Sequence, residues 1–210
     1  PLLAMKNFYR ASAFVSKESL PRWYFFSKVK SIENSTIFVN DQKFKFDMVF
    51  DFRGTGAKDL KVRGVRGEVI LLKPPKNFIL HRPVRLVHPR IKAYIVPKSS
   101  GDLIIGATEI ESEEISPISV RSTLELLTAA QSIMPELTEA RIISSDVNLR
   151  PATNDNLPLI MQDNSVCRVN GLFRHGWLIA PAILEKIFCD LNIKTAISIP
   201  NKLSLYENQI

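Results

Sequence analysis

The chain has 210 residues, 45% of them hydrophobic, which is enough for one well-buried core or two small ones. It contains no run of about 18 uncharged apolar residues, so no membrane-spanning helix is expected. Its net charge of +7 is uneven, with 20 Lys/Arg against 7 Asp/Glu in residues 1–100 and 8 against 14 in residues 101–210, a balance that raises nucleic acid as a partner.

In chain order, residues 1–30 are apolar and aromatic without a clean period. They open on PLLAMKNFYR, with neither a signal-peptide pattern nor an initiator Met, so the chain is expected to be part of a longer polypeptide. Asn34-Ser35 and Asn40-Asp41 mark turns between short strands rich in Ile, Val and Phe. A strand from Phe46 to Phe52 ends at Arg53-Gly54-Thr55-Gly56, where glycine lets backbone come close to a neighbour. KVRGVRGEVILL, with Gly64 and Gly67 ahead of an apolar run, is a further strand entry. Two β-rich runs around Ser99-Ser100-Gly101-Asp102 predict a hairpin.

Ser116-Pro117 predicts a helix start, with Val120, Leu124, Leu127 and Met134 on one face and a stop at Pro135. ARIISSDVNLRP and SVCRVNG are further strands. A last helix has Pro181 near its start and a predicted buried stripe of Ile183, Leu184, Ile187, Phe188 and Leu191. Strands joined mostly by hairpins, with two helices, predict an α+β fold around a largely antiparallel sheet.

Cys167 and Cys189 lack a Cys-x-x-Cys spacing and are expected to be two small buried hydrophobes in a reducing, cytoplasmic setting. His81, His88 and His175 show no ligand spacing, so no metal is expected. The basic residues of KVRGVRGE and HRPVRLVHPRIK alternate with apolar ones as on solvated strand faces, and no nucleic-acid-binding motif accompanies them. Nucleic acid is therefore set aside as a partner.

Three segments could carry chemistry. Arg150 in DVNLRPATNDNLPLI stands at a strand end stiffened by Pro151 and Pro158, where a guanidinium can grip a carboxylate with two parallel hydrogen bonds. A surface ion pair is the plainer alternative. Tyr94 in AYIVPKSSGDLIIGATE offers a hydroxyl to an anionic ligand if it faces a cleft, or packs the sheet if it does not. In VNGLFRHGWLIAPA, Arg174, His175 and Gly176 precede a helix whose unpaired N–H groups favour an anion. An ordinary strand and glycine turn would look the same.

Taken in order, HPRIKAYIVPKSSGDLIIGATEIES, NLRPATNDNLPLI and VNGLFRHGWLIAPA, with FDMVFDFRGTGAKDLKVRGVRGEVI ahead of them, resemble the D-amino-acid-oxidase family of flavoproteins. The likeness is greatest to its glycine-oxidase branch, which serves bacterial thiamine biosynthesis, and covers roughly residues 46–192. The resemblance implies a substrate-binding domain over residues 60–149, with an antiparallel sheet and one helix. Residues 1–59 and 150–210 would then be connecting segments and the C-terminal remnant of an FAD-binding α/β domain. The G-x-G-x-x-G loop that cradles the FAD pyrophosphate does not occur in the sequence. This chain alone is accordingly expected neither to hold FAD tightly nor to turn over, with the family's N-terminal segment missing from it.

The resemblance also implies roles. Arg150 matches the arginine that pairs with the amino-acid carboxylate, Tyr94 the tyrosine of the active-site strand, and Arg174 a second active-site arginine. Gly54, Arg174, His175, Gly176, Trp177, Leu178 and Ile179 match positions near the cofactor, the last four beside the flavin's N1 and C2-carbonyl edge. The implied reaction is oxidation of glycine or a similar small amino acid to the imine, with hydride transfer to flavin and formation of hydrogen peroxide. Sarcosine oxidase, D-amino-acid dehydrogenase and a non-catalytic binding module are the alternatives. A homo-oligomer is compatible with all of them. Asn148 stands where many members have glycine, and Glu109 where some have an apolar residue near the substrate; both bear on substrate size.

Overall fold

Ile70 and Leu72 sit two residues apart in KVRGVRGEVILL, so a strand places them on one face and Gly67 and Val69 on the other. That division organises the molecule. A computed structural model describes residues 22–89, 91–163 and 165–193, so of the aromatic segment 1–30 the part up to position 21 lies outside the described residues. The chain forms two units: one from residues 1–51 and 162–167, the other from 52–161 and 168–210.

In the first unit, β1 (Val29–Glu33), β2 (Thr36–Val39) and β3 (Gln42–Lys45) form an antiparallel sheet. Its turns are the expected ones. Asn34, Ser35 and Asn40 all take positive φ (45°, 61° and 53°), as two-residue hairpins demand of their central residues. Ile32, Val49 and Val166 make a small core. The strand expected from Phe46 to Phe52 is shorter than that: β4 covers Val49–Asp51.

The second unit is built on a five-stranded antiparallel sheet in the order β6-β7-β8-β5-β9. Its members are β6 (Val84–Arg85), β7 (Tyr94–Pro97), β8 (Leu103–Gly106), β5 (Arg63–Lys73) and β9 (Arg141–Ala152). β7 and β8 are the predicted hairpin, turned by Gly101 at φ 82° with the Ser100 hydroxyl donating to Asp102. Leu72 pairs with Leu103, Ile70 with Ile105, and Ile105 with Ile95. These five share one face and pack with Leu126, Ala130 and Leu137. Each such side chain removed from water contributes about 1.5–3 kcal/mol. The opposite face carries Val65, Gly67, Val69, Gly106, Tyr94, Asn148 and Arg150 by the same registers. The expected boundary at 149/150 falls inside β9, which runs on unbroken through Arg150.

Helix α1 (Val120–Ile133) starts three residues later than Ser116-Pro117 predicts, capped by Ser119 accepting from the Ser122 N–H. The reason lies in β5: the Arg66 guanidinium takes the carbonyls of Glu114, Ser116 and Pro117, which holds that stretch out of the helix. Its buried stripe differs in part. Ser122, Leu126, Ala129 and Ala130 face the sheet, Leu127 and Met134 pack against the core as expected, and Val120 and Leu124 are exposed. Two neighbouring stripes fit a 3.6-residue period here, and the one with alanines lets the helix lie close. Helix α2 (Gly176–Asp190) buries only Ile187 of its predicted stripe, and Leu184 is exposed. Cys167 is buried as expected but Cys189 on α2 is exposed.

Candidate active site

Tyr94, Arg150, Arg174 and His175 line one hollow of about 240 Å³, together with Arg85, Lys92, Ala107, Thr108 and Glu109. All lie in the second unit. Three separate segments deliver them: β7 brings Tyr94, β9 brings Arg150, and the turn after β10 (Val166–Asn170) brings Arg174 and His175.

Arg150 is held against β5. Its Nη1 donates to the carbonyls of Thr108 (3.0 Å) and Arg66 (3.3 Å), and among the described residues no carboxylate pairs with it. A Cβ built on Gly67 would stand 2.4 Å from that Nη1 and 2.5 Å from Cζ. The glycine is the floor on which the guanidinium lies. Gly106 does the same for Tyr94, since a Cβ there would come within 2.6 Å of the phenol's Cζ and hydroxyl. In the sequence Gly67 marks only a strand entry and Gly106 carries no motif; an isolated glycine within a strand, marking close approach of another group, was the available signal.

The Arg-Gly-Glu segment is organised on both faces of β5. Gly67 faces Arg150, while Arg66 and Glu68 point the other way into a buried pair at 2.7 Å. Burial alone would raise the Glu68 carboxyl, but hydrogen bonds from Ser122, Arg66 and Thr108, and the charge of Arg66, hold it below its ordinary value. The Thr108 hydroxyl donates to Glu68 and its carbonyl accepts from Arg150, which ties the pair to the hollow.

Arg174 differs from Arg150 in being paired: its Nη1 meets Glu109 Oε2 at 2.7 Å, and Lys92 Nζ lies 4.0 Å from the same oxygen. The turn that carries Arg174 is fixed by hydrogen bonds from the Phe173 N–H to the Pro151 carbonyl and from the His175 N–H to the Leu172 carbonyl. Asn170, buried and unnoticed in the sequence, donates to the Gly54 carbonyl and accepts from the Gly171 N–H. Gly54 itself sits at φ 58° in a 3-10 turn and is not part of the hollow's wall.

Gly176, Trp177, Leu178 and Ile179 begin α2 and also lie outside that wall. Their N-cap residue His175 offers no side-chain acceptor; its carbonyl accepts from the Leu178 and Ile179 N–H groups, and those of Gly176 and Trp177 have no partner among the described residues. Gly176 leaves the backbone open, its nearest side-chain contact for a built Cβ being an ordinary 3.6 Å to Leu172. Trp177 and Leu178 are 87% and 79% exposed. An electron-rich edge of a flavin ring, flat and apolar elsewhere, fits this donor set and these exposed faces. The described residues offer nothing comparable to a glycine-rich pyrophosphate cradle.

Residues 46–186 match the model of the DAO family, FAD dependent oxidoreductase. A Rhizobium etli protein named for thiamine biosynthesis, the oxidoreductase ThiO, is 45% identical over 126 residues, 60% of this chain and 38% of that protein. The glycine oxidase of Geobacillus kaustophilus is 29% identical over 125 residues, 58% of this chain and 32% of its own. The crystal structure of glycine oxidase from Geobacillus kaustophilus aligns with a TM-score of 0.68 at 25% identity, covering 83% of this chain and 50% of that one. The chain thus spans 38% or less of these curated relatives and about half of the solved structure.

Proposed function

The chain belongs to the DAO family of FAD-dependent oxidoreductases, and from that premise we propose that it forms the substrate-binding portion of an amine oxidase of the glycine-oxidase type. The observation that carries this reading is the convergence of Tyr94, Arg150 and Arg174 on one small hollow, with Arg150 left uncompensated by any carboxylate among the described residues. At about 240 Å³ the hollow is below the roughly 300–1,000 Å³ of sites for drug-sized ligands. That suits a small amino acid.

Bound FAD would supply the acceptor for a hydride from the substrate α-carbon. The protein's part is orientation. Arg150, pinned by two carbonyls on its Nη1, presents its remaining N–H groups to the substrate carboxylate in a fork that fixes direction as well as charge. The Tyr94 hydroxyl adds a donor from β7, across the same face of the sheet. Held at both, the substrate turns one C–H bond toward the flavin edge, which the backbone N–H groups of Gly176 and Trp177 would steady. No side-chain base is assigned. The sequence of this chain brings the edge contacts and substrate residues rather than a pyrophosphate cradle, so FAD retention by the 210 residues alone is predicted to be weak. Flavin absorbance co-purifying with it at one equivalent would overturn that. The name of the Rhizobium etli relative supports a role in thiamine biosynthesis, and two cysteines without a Cys-x-x-Cys spacing fit a reducing compartment.

The test is peroxide formation on glycine, sarcosine and D-alanine by the FAD-loaded full-length protein that contains this chain, not by the 210 residues alone. Peroxide with glycine as the best of the three supports the reading. Electron transfer to a quinone without peroxide would instead make it a dehydrogenase, and no turnover of any of the three would end the amine-oxidase proposal.

A further inference from the structure

Four cations and one carboxylate line the hollow: Arg85, Lys92, Arg150 and Arg174 against Glu109. The carboxylate is not spread among them. Glu109 Oε2 lies 2.7 Å from Arg174 and 4.0 Å from Lys92, whereas Arg150 is met only by carbonyl oxygens. We propose that Glu109 determines specificity: by neutralising Arg174 it restricts the hollow to amino acids with a single carboxylate and rejects dicarboxylic ones. This deepens the oxidase reading and rests on it for the identity of the substrate.

The physical case is one of unequal anion sites. Arg150 and Arg174 together would grip two carboxylates, one at each end of an acidic amino acid. With Glu109 in place, a second substrate carboxylate that reaches Arg174 must displace a charge-assisted hydrogen bond and lie beside a like charge, and like-charge juxtaposition at a site is how recognition excludes the wrong partner. The Arg174–Glu109 contact is partly sheltered, at 24% and 35% side-chain exposure, so solvent screens it less than a free surface pair. Lys92 stands further out and more exposed, at 56%, and is the weaker anion site. Glu109 also lines a larger neighbouring hollow of about 820 Å³, with Lys92, Ala107 and Thr108 common to both. Space for a longer side chain therefore borders the site, and it is charge rather than room that excludes an acidic one.

The experiment is an NMR titration of the full chain with acetate and with succinate, for wild type, Glu109→Gln and Glu109→Met. Both variants are expected to raise the affinity for succinate relative to acetate by roughly ten-fold or more, the worth of one hydrogen bond to a charged partner. An unchanged ratio in both variants, a wild type that prefers succinate, or failure of every form to bind either acid overturns the proposal. A parallel arm measures kcat/KM of the holoenzyme for D-aspartate over glycine, which should rise with the succinate ratio. If no amine is oxidised but the succinate ratio rises, the oxidase reading falls and the role of Glu109 stands. If glycine is oxidised and neither ratio moves, the role of Glu109 falls alone.

Discussion

The guanidinium of Arg150 lies flat on Gly67, two registers along the β5–β9 ladder, so closely that a single methyl at the glycine would stand 2.4 Å from Nη1. The strand that carries the arginine and the strand that carries its floor are therefore one device. Gly67→Ala should separate binding from folding. The clash is with the far end of a flexible side chain, so stability should change by no more than about 1 kcal/mol, the usual difference between Gly and Ala in a strand. Substrate capture should suffer more, with KM for glycine rising roughly 10- to 100-fold, as expected for loss of a hydrogen bond to a charged group. Equal kinetics in the variant and wild type would mean that Arg150 does not hold the carboxylate from this position.

Gly106 and Tyr94 allow the matching test. Alanine at 106 would push the phenol ring out of place, its Cζ and hydroxyl being 2.6 Å from the added carbon. Gly106→Ala and Tyr94→Phe are each expected to raise KM for glycine by about ten-fold. Combined, they should cost little more than either alone, because residues in contact do not act additively. Additive losses would show that Gly106 matters for some reason other than the tyrosine hydroxyl.

These two glycines mark the limit of what the sequence disclosed. The hairpins were legible because Asn34, Ser35, Asn40 and Gly101 are local instructions, each fulfilled within four residues. Arg150, Tyr94 and Arg174 were legible through resemblance, and the hollow brings them together. Tertiary arrangement overrode local signals elsewhere. Ser116-Pro117 is a sound helix start by itself, yet Arg66, some 50 residues earlier, takes the carbonyls there. Of the stripe Val120, Leu124, Leu127 and Met134, the last two pack against the core while Val120 and Leu124 face solvent, and Ala129 and Ala130 are buried in addition, since closeness to the sheet is not written in hydropathy. The pairing of Glu109 with Arg174 spans 65 residues and has no local signature at all.

The observed cap of α1 can be checked directly. Ser119 accepts the Ser122 N–H at 3.1 Å, and its hydroxyl also donates to the Ser122 hydroxyl at 3.0 Å. Ser119→Ala should cost about 1 kcal/mol in urea denaturation, the typical worth of an N-cap. Ser116→Ala, at the position the sequence favoured, should cost less, because its carbonyl rather than its hydroxyl makes the close contact with Arg66. The reverse order would place the functional cap at Ser116.

The buried pair of Arg66 and Glu68 makes stability depend on acid. Glu68 is fully buried, and the partners that surround it hold its carboxyl below the ordinary value of 4.5 despite burial. A carboxyl with a depressed folded pKa contributes stability that is complete above its unfolded value and is lost as the pH falls through the folded one. The urea midpoint should therefore stay level from neutral pH down to about 5 and fall below that. Glu68→Gln leaves Arg66 as an uncompensated buried charge and should cost roughly 3–5 kcal/mol at pH 7. It should also flatten the acid-side fall, since the group that titrates is gone. Some slope will survive in the variant, because Glu111, bonded by Arg63, and Asp155, bonded by the Leu157 N–H and Thr153, are also held low. A Glu68→Gln protein with the wild-type slope between pH 5 and 3 would mean that this pair is already broken or already protonated where the chain is most stable, and the anchor it gives to residues 114–117 and, through Thr108, to Arg150 would have to be sought elsewhere.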